Sequence, residues 1–276
     1  MSPLISVVMS AYNEEKHLAE AIRSILDQTY QDFEFIIIDD ASSDHTWDVM
    51  KQFNDPRIVL HQNSENLGLT RSLNIGLRLA KGNLIARMDA NDVASSHRFE
   101  RQVEVLREDE DIDLVWTGAD YIDDDGVFLC TKRSPAQHEV IELLLSCNDD
   151  FPMGKNHINH ISVMFRKDPV LNAGGYSEEY SFGQDGNLWC RLLKSGARFS
   201  FIDEPLMAIR LMFDSITSRR LALFSGENDY YYSVCIANRH YQNALKYAFR
   251  MPWGFLKIMR IIVTSGRIVI QNAFFR

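Results

Sequence analysis

Two acidic turns, each directly after an apolar run, hold the residue types best suited to chemistry in this 276-residue chain. The first, Asp39-Asp40-Ala41-Ser42-Ser43-Asp44, follows Phe33 to Ile38; the second, Asp89-Ala90-Asn91-Asp92, follows Leu84 to Met88. A carboxylate at a strand end can accept a hydrogen bond from a base N–H or a ribose hydroxyl, and it can equally belong to an ordinary solvated turn. The hard oxygen donors of the second turn suit Mg2+ or Mn2+, which bind through one or two carboxylates and complete their shell with water and phosphate oxygens. A diphosphate leaving group needs that cation, because an acidic rim would otherwise repel it. The competing reading is a polar turn in which Asp92 caps the next helix. Two such turns in one alternating unit favour a nucleotide site.

The elements that must carry these turns are legible as periodicity. Leu4 to Met9 is a β-branched run, followed by Asn13 as a candidate N-cap with Glu14 and Glu15 in a first helical turn. Leu18, Ala21, Ile22, Ile25 and Leu26 then repeat at helical spacing. Phe33 to Ile38 reads as a second strand, Arg57 to His61 as a third, and Leu84 to Met88 as a fourth; Leu69, Leu73, Leu77 and Ala80 mark a helix closed by Gly82. This β-α-β-α-β-α-β order predicts an α/β fold with a Rossmann-like, mostly parallel central sheet flanked by helices. Ligands of such sheets bind at the carboxyl ends of the strands, so Ser10, Tyr12 and Asn13 should meet the two acidic turns at one rim.

Beyond residue 95 the pattern is mixed, with a helix near 96–107, a strand at 112–116 and shorter elements to about residue 210. His157 and His160 have a spacing that does not align side chains on a strand, which disfavours a metal pair. Residues from about 218 onward read as helical, with Pro252 dividing them.

Composition removes several function classes. The net charge of -9 argues against nucleic acid as the main partner. That charge is uneven: residues 1–229 hold 22 Lys/Arg against 38 Asp/Glu, while the residues after Asp229 carry seven Lys/Arg and no acid. The basic, amphipathic C-terminal piece from Trp253 to Ile270 has charges that interrupt any membrane span, and it suits either an anionic lipid interface or a packing or dimerising helix. Four scattered cysteines support neither a zinc ribbon nor a disulfide framework, and the opening stretch lacks a basic leader, so a cytoplasmic protein is expected. No G-x-G-x-x-G follows the first strand and no G-K-[ST] is present, which excludes the common dinucleotide and P-loop readings.

The blocks SVVMSAYNEE, IIIDDASSDHT, NLGLTRSLNIGL, NLIARMDANDVA, HISVMFRK, GGYSEEY and QDGNLWCRLLKSG stand in the order seen in family 2 glycosyltransferases, the inverting enzymes of the GT-A fold, and the resemblance spans about residues 3–215. It implies a GT-A catalytic domain over 1–217, with a nucleotide-sugar half at about 1–95 and an acceptor half at about 96–217, and a helical C-terminal extension over 218–276. It also implies transfer of a hexosyl or hexosaminyl group from a nucleotide-diphosphate sugar, a UDP-sugar by the match at Asp40, to a glycan or lipid-linked glycan acceptor in bacterial surface polysaccharide synthesis.

By the same resemblance Ser10, Tyr12, Glu14, Asp40, Arg71, Asp89, Ala90 and Asn91 bind the nucleotide-sugar. Asp89 and Asn91 occupy the first and third places of the D-x-D signature and hold the metal, with Asp92 as a substitute ligand. His160, Trp189 and Arg210 fall on the acceptor side. Asp185 resembles the catalytic base; a carboxylate opposite the leaving group can take the acceptor proton as oxygen attacks the anomeric carbon. Three departures from the family pattern are Asn91 for Asp, Gln184 for Glu and Met212 for His. Asn91 and Met212 are the best support for the rival reading, a transferase domain that binds nucleotide as a scaffold without turning over.

Overall fold

In a computed structural model of the chain, residues 4–132, 136–146, 158–180, 183–211, 260–264 and 267–271 are described. His157 and Met212 lie outside them. The chain divides into two compact units, residues 1–120 with 131–209, and residues 121–130 with 210–276.

The sheet runs β3-β2-β1-β4-β8-β6-β9-β5, with β7 paired to β6. Its first half is parallel: β1 (Ile5–Ala11) lies between β2 (Phe33–Asp39) and β4 (Leu84–Asp89), and β3 (Ile58–Gln62) flanks β2. β8 (Met164–Arg166) is antiparallel to both β4 and β6 (Ile112–Ile122), and the short β5 (Val93–Ala94) is antiparallel to β9 (Arg198–Arg210). β7 spans Phe128–Lys132.

Alternation along the central strands feeds two cores. Ile5, Val7 and Met9 pack with Leu18, Ala21, Ile22 and Ile25 of α1 (Leu18–Leu26) and with Phe99, Val103 and Leu106 of a helix at Arg98–Glu108. Val8, Ile36 and Ile38 face the other way, onto Leu73 and Leu77 of a helix at Leu69–Leu79 and onto Leu188 and Leu192 of one at Gln184–Lys194. In chain order these are α3 (69–79), α4 (98–108) and α7 (184–194), with short α2 at Thr46–Lys51, α5 at Gln137–Ser146 and α6 at Lys167–Asn172. Strands buried on both faces read as continuous apolar runs, which is why β1, β2 and β4 were visible in the sequence.

Two local expectations are corrected. α1 begins at Leu18 after an N-cap at His17, so Asn13, Glu14 and Glu15 form a loop and not a first helical turn; Asn13 adopts a left-handed φ of 54°. Asp92 does not cap α4, whose N-cap is His97.

In the second unit, Arg260–Thr264 (β10) and Arg267–Gln271 (β11) form an antiparallel ribbon where a helix was expected. The β-branched Ile261, Ile262, Val263 and Thr264, and Ile268, Val269 and Ile270 on the paired strand, favour a pleated backbone over a helix. The rest of the 218–276 expectation lies outside the described residues. Cys130 in this unit is disulfide-bonded, a pairing that scattered cysteine spacing does not announce. No helix among the described residues is long and apolar enough to cross a membrane.

Candidate active site

Strand register builds the rim. In the parallel ladder Ser10 stands beside Asp89 and Ala11 beside Asp39, so the carboxyl ends of β1, β2 and β4 arrive level. The loops that follow β1 and β2 are laced together. The Asn13 amide N–H donates to Ser42 Oγ (3.0 Å) and Asn13 Oδ1 accepts from the Ser43 N–H (2.8 Å); the Glu14 N–H donates to Thr46 Oγ1 (2.7 Å). Glu15 and Asp44 close the exchange, Asp44 Oδ2 accepting from the Glu15 N–H (3.2 Å) and Glu15 Oε2 from the His45 N–H (2.9 Å). Each bond crosses about 30 residues of chain and fixes the loop that carries Tyr12 and Glu14.

Asp40 is only 2% exposed and is spent largely on architecture. Its Oδ1 accepts from Asn63 Nδ2 (2.7 Å) and the Leu67 N–H (2.9 Å), and its Oδ2 from the Gly68 N–H (2.8 Å). Gly68 takes φ of 84°, a conformation that costs glycine little, and brings its amide onto the carboxylate. Asp40 therefore positions the segment leading into α3. Arg71, near the start of α3, is well exposed and paired to Glu178 at 2.9 Å.

The second acidic turn is tied to a buried cation that sequence reasoning passed over. Arg87, inside β4, is 1% exposed, and its Nη2 donates to Asp89 Oδ1, whose side chain is 37% exposed. The available signal was a charged residue in the middle of the apolar run Leu-Ile-Ala-Arg-Met. The strand itself is pinned from below by a second buried guanidinium: Arg98 donates to the carbonyls of Arg87 (2.9 Å) and Val163 (3.1 Å) and to Gln102 Oε1 (3.0 Å). Asn91 is partly accessible, whereas Asp92 and Ala90 are buried, which leaves Asp89 and Asn91 as the accessible oxygen donors of this turn.

Asp185 lies in the first turn of α7, half-buried, after an N-cap at Gly183 with φ of 68°. A pair of which His160 was expected at the site and Tyr176 was missed packs against α7. His160 Nε2 and Tyr176 Oη lie 2.8 Å apart, and His160 packs edge-on against Trp189 of α7 with ring centroids 6.0 Å apart. Burial, reinforced by the Arg87 charge, holds His160 well below the usual imidazole range, so the ring is neutral and shares one hydrogen bond with the phenol. Burial raises Tyr176, and the carboxylates of both Asp185 and Asp89 raise it further, while Arg87 opposes them. The tyrosine's backbone is fixed by Asn74 of α3, through Tyr176 N–H to Asn74 Oδ1 (3.0 Å) and Asn74 Nδ2 to Tyr176 O (2.8 Å).

Asp89 and Asp185, 96 positions apart in the chain, both lie near enough to Tyr176 for their charges to disfavour its ionisation. Trp189 is fully buried, with Phe165 and Phe199 also edge-on to its ring, so it reaches this cluster through His160 and offers no open face. Arg210 belongs to the second unit, where its guanidinium donates to the carbonyls of Asp123 (3.0 Å) and Asp124 (3.1 Å).

Glu14 completes the acidic rim. Burial first, then the charges of Asp89 and Asp44, raise its carboxyl from 4.5 to about 7. An acid whose folded-state value lies above its unfolded one stabilises the fold below the unfolded value, and that contribution is lost as pH rises through the folded one. Glu14→Gln should therefore be more stable than the parent protein at pH 8 by a clear margin that shrinks toward pH 4.5. Urea unfolding at both pH values checks this, and a margin independent of pH would refute it.

No group of three or more His, Cys, Asp or Glu able to hold a metal by themselves occurs among the described residues. A donor set of Asp89 and Asn91 fits a hard dication whose shell is finished by phosphate oxygens and water, and such a cation would offset the repulsion between Glu14 and Asp89.

A Rossmann-like sheet, parallel in its first half and carrying acidic turns at its carboxyl edge, is the arrangement expected of a GT-A glycosyltransferase. The glycosyl transferase family 2 model matches residues 6–164, and the chain belongs to that family and is a glycosyltransferase. It is 33% identical over 213 residues to an uncharacterised glycosyltransferase of Methanocaldococcus jannaschii, covering 76% of this chain and 71% of that one. It is 31% identical over 223 residues to the amylovoran biosynthesis glycosyltransferase AmsE of Erwinia amylovora, covering 79% and 80%. Among solved structures, S. aureus TarS residues 1–349 in complex with UDP-GlcNAc superposes with a TM-score of 0.62 at 16% identity, over 92% of this chain and 77% of that one, a likeness of fold.

Proposed function

We propose that the protein transfers a sugar, with inversion, from a UDP-sugar to a hydroxyl of a growing bacterial surface glycan. The observation that carries this reading is the meeting of Ser10, Asp39 and Asp89 at one strand edge, with Asp185 in the first turn of the helix whose Trp189 packs on the His160–Tyr176 pair, an arrangement that supports a diphosphate pole and a base pole. AmsE, by its name, serves the synthesis of one such polysaccharide, and TarS binds UDP-GlcNAc.

Ser10, Tyr12, Glu14 and Asp40 lie on or beside the loops that would receive the nucleoside, with Asp40 acting through the 63–68 segment as well as through its remaining acceptor capacity. Asp89 and Asn91 would hold the divalent ion, which when bound neutralises the diphosphate as it departs. Asp185 takes the acceptor proton while the acceptor oxygen bonds to the anomeric carbon. The bond from that carbon to the phosphate oxygen breaks, and its electron pair leaves with the nucleoside diphosphate. Neutral His160 and Tyr176 hold no mobile charge, so they fix the distance between the two poles and leave the acid–base work to Asp185.

The test is nucleoside-diphosphate release from a panel of donors with Mn2+. Slow donor hydrolysis without acceptor, stopped by chelator, is expected with a UDP-sugar. Nucleotide binding without turnover of any donor and acceptor would favour the scaffold reading that Asn91 supports. The acid-free tail after Asp229 supports contact with an anionic membrane face; deletion of 252–276 should release the protein from anionic liposomes, and unchanged sedimentation would refute it.

A further inference from the structure

Arg87 is an unusual residue to find where it lies. It is almost fully enclosed, its Nε and Nη1 find no hydrogen-bond partner among the described residues, and Nη2 donates to Asp89. A guanidinium stays protonated under all ordinary conditions, so the cost of those unmet donors is not escaped by losing charge. A methionine would fill similar volume at lower cost unless the charge itself is needed. What surrounds it supplies the need: Asp89 is bonded to it, Glu14 lies near enough to repel Asp89, and Tyr176 lies within reach of the charges of Arg87 and Asp185.

We infer that Arg87 is a positioning residue, a resident counter-cation that holds Asp89 and the acidic rim in place before donor arrives and competes with a bare divalent ion for that carboxylate. The competition follows from charge: a metal approaching Asp89 alone meets a guanidinium already on Oδ1, whereas a metal carrying a diphosphate brings its own anion to offset Arg87. The protein then takes up cation and diphosphate together and resists filling by free cation. This rests on the reading of Asp89 as part of the cation pole.

The experiment compares the parent protein with Arg87→Met, Arg87→Lys, Asp89→Asn and the double variant Arg87→Met/Asp89→Asn by thermal unfolding, without metal and in a Mn2+ titration without nucleotide. Arg87→Met should be the least stable without metal, and adding Asp89→Asn should restore most of the loss, because the damage is an uncompensated carboxylate. Mn2+ alone should stabilise Arg87→Met with a midpoint roughly tenfold lower than in the parent protein, while Arg87→Lys, which keeps the charge, stays close to the parent. If Arg87→Met does not accumulate as folded protein, recovery of the double variant gives the same answer. A double variant no more stable than Arg87→Met would make Arg87 a packing residue and overturn the inference. Recovery of the double variant with no Mn2+ response in any protein would uphold the Arg87–Asp89 pairing and count instead against Asp89 as a cation ligand.

Discussion

Asp185→Asn is expected to lower turnover about 10³-fold while leaving donor affinity within about twofold, the range lost when a positioned base is removed. The substitution keeps shape and removes only the capacity to accept a proton. Asp185 sits one residue inside the first turn of α7, whose N-cap is Gly183, so the helix start does not depend on its carboxylate. The charge makes a favourable contribution to the helix dipole of about 0.3–1 kcal/mol, which sets the small stability change to expect. Single-turnover transfer and nucleotide binding on the same preparation separate the two effects. An unaltered transfer rate would remove Asp185 from the chemistry, whereas a collapse of nucleotide binding would mean that it acts on the donor.

The second large effect is structural. Gly82→Ala should cost about 3 kcal/mol, because the added methyl lands on main chain and has nowhere to go. A Cβ at Gly82 would lie 2.7 Å from the carbonyl carbon of Ile5 and from the amide nitrogen of Ser6, at the start of β1. Main chain in the centre of a parallel sheet cannot swing aside as a side chain can. The same point holds a buried network: the Gly82 N–H donates to Ser6 Oγ (2.8 Å), which donates to Glu34 Oε1 (2.7 Å), and the Lys81 N–H donates to that same Oε1 (2.6 Å). A shift of β1 would also unlevel Ser10 and Asp89 at the far end of the strand pair, so activity should fall with stability. Gly196→Ala is the control, since its Cβ would meet nothing within 4 Å and pays only for its φ of 93°. Thermal unfolding of the two variants decides the matter, and a Gly82→Ala midpoint equal to the parent's would refute the crowding.

The parallel half of the fold was legible because buried strands announce themselves as apolar runs and the polar residues ending them could be assigned to one rim without coordinates. Asp89 and Ser10 meet as that rule requires. Other features depend on partners far away in the chain. Asn13 reads as a helix cap by its neighbours, yet it is held in a left-handed loop by Ser42 and Ser43, some 30 residues on. Asp40 reads as a free ligand and is mostly engaged by the 63–68 segment, which no local pattern foretells. β8 is three residues long, too short for periodicity to show, yet it is the strand that joins β4 to β6, and it begins four residues after His160. Arg87 and Tyr176 lay inside quoted motifs, and their roles became visible only when β4, α3 and α7 were seen to converge on them. The C-terminal segment sets single arginines before β-branched runs, a composition that serves an amphipathic helix or a ribbon, and over 260–264 and 267–271 the two runs pair with each other as a ribbon.

Anomalous diffraction from Mn2+ in crystals grown with UDP-sugar tests the central claim most directly. A manganese peak bonded to a side-chain oxygen of Asp89 or Asn91 and to the diphosphate, with the Asp185 carboxylate across the anomeric carbon from it, is the predicted result. Manganese and nucleotide bound away from Asp89, or a sugar whose anomeric carbon has no approach from Asp185, would contradict it.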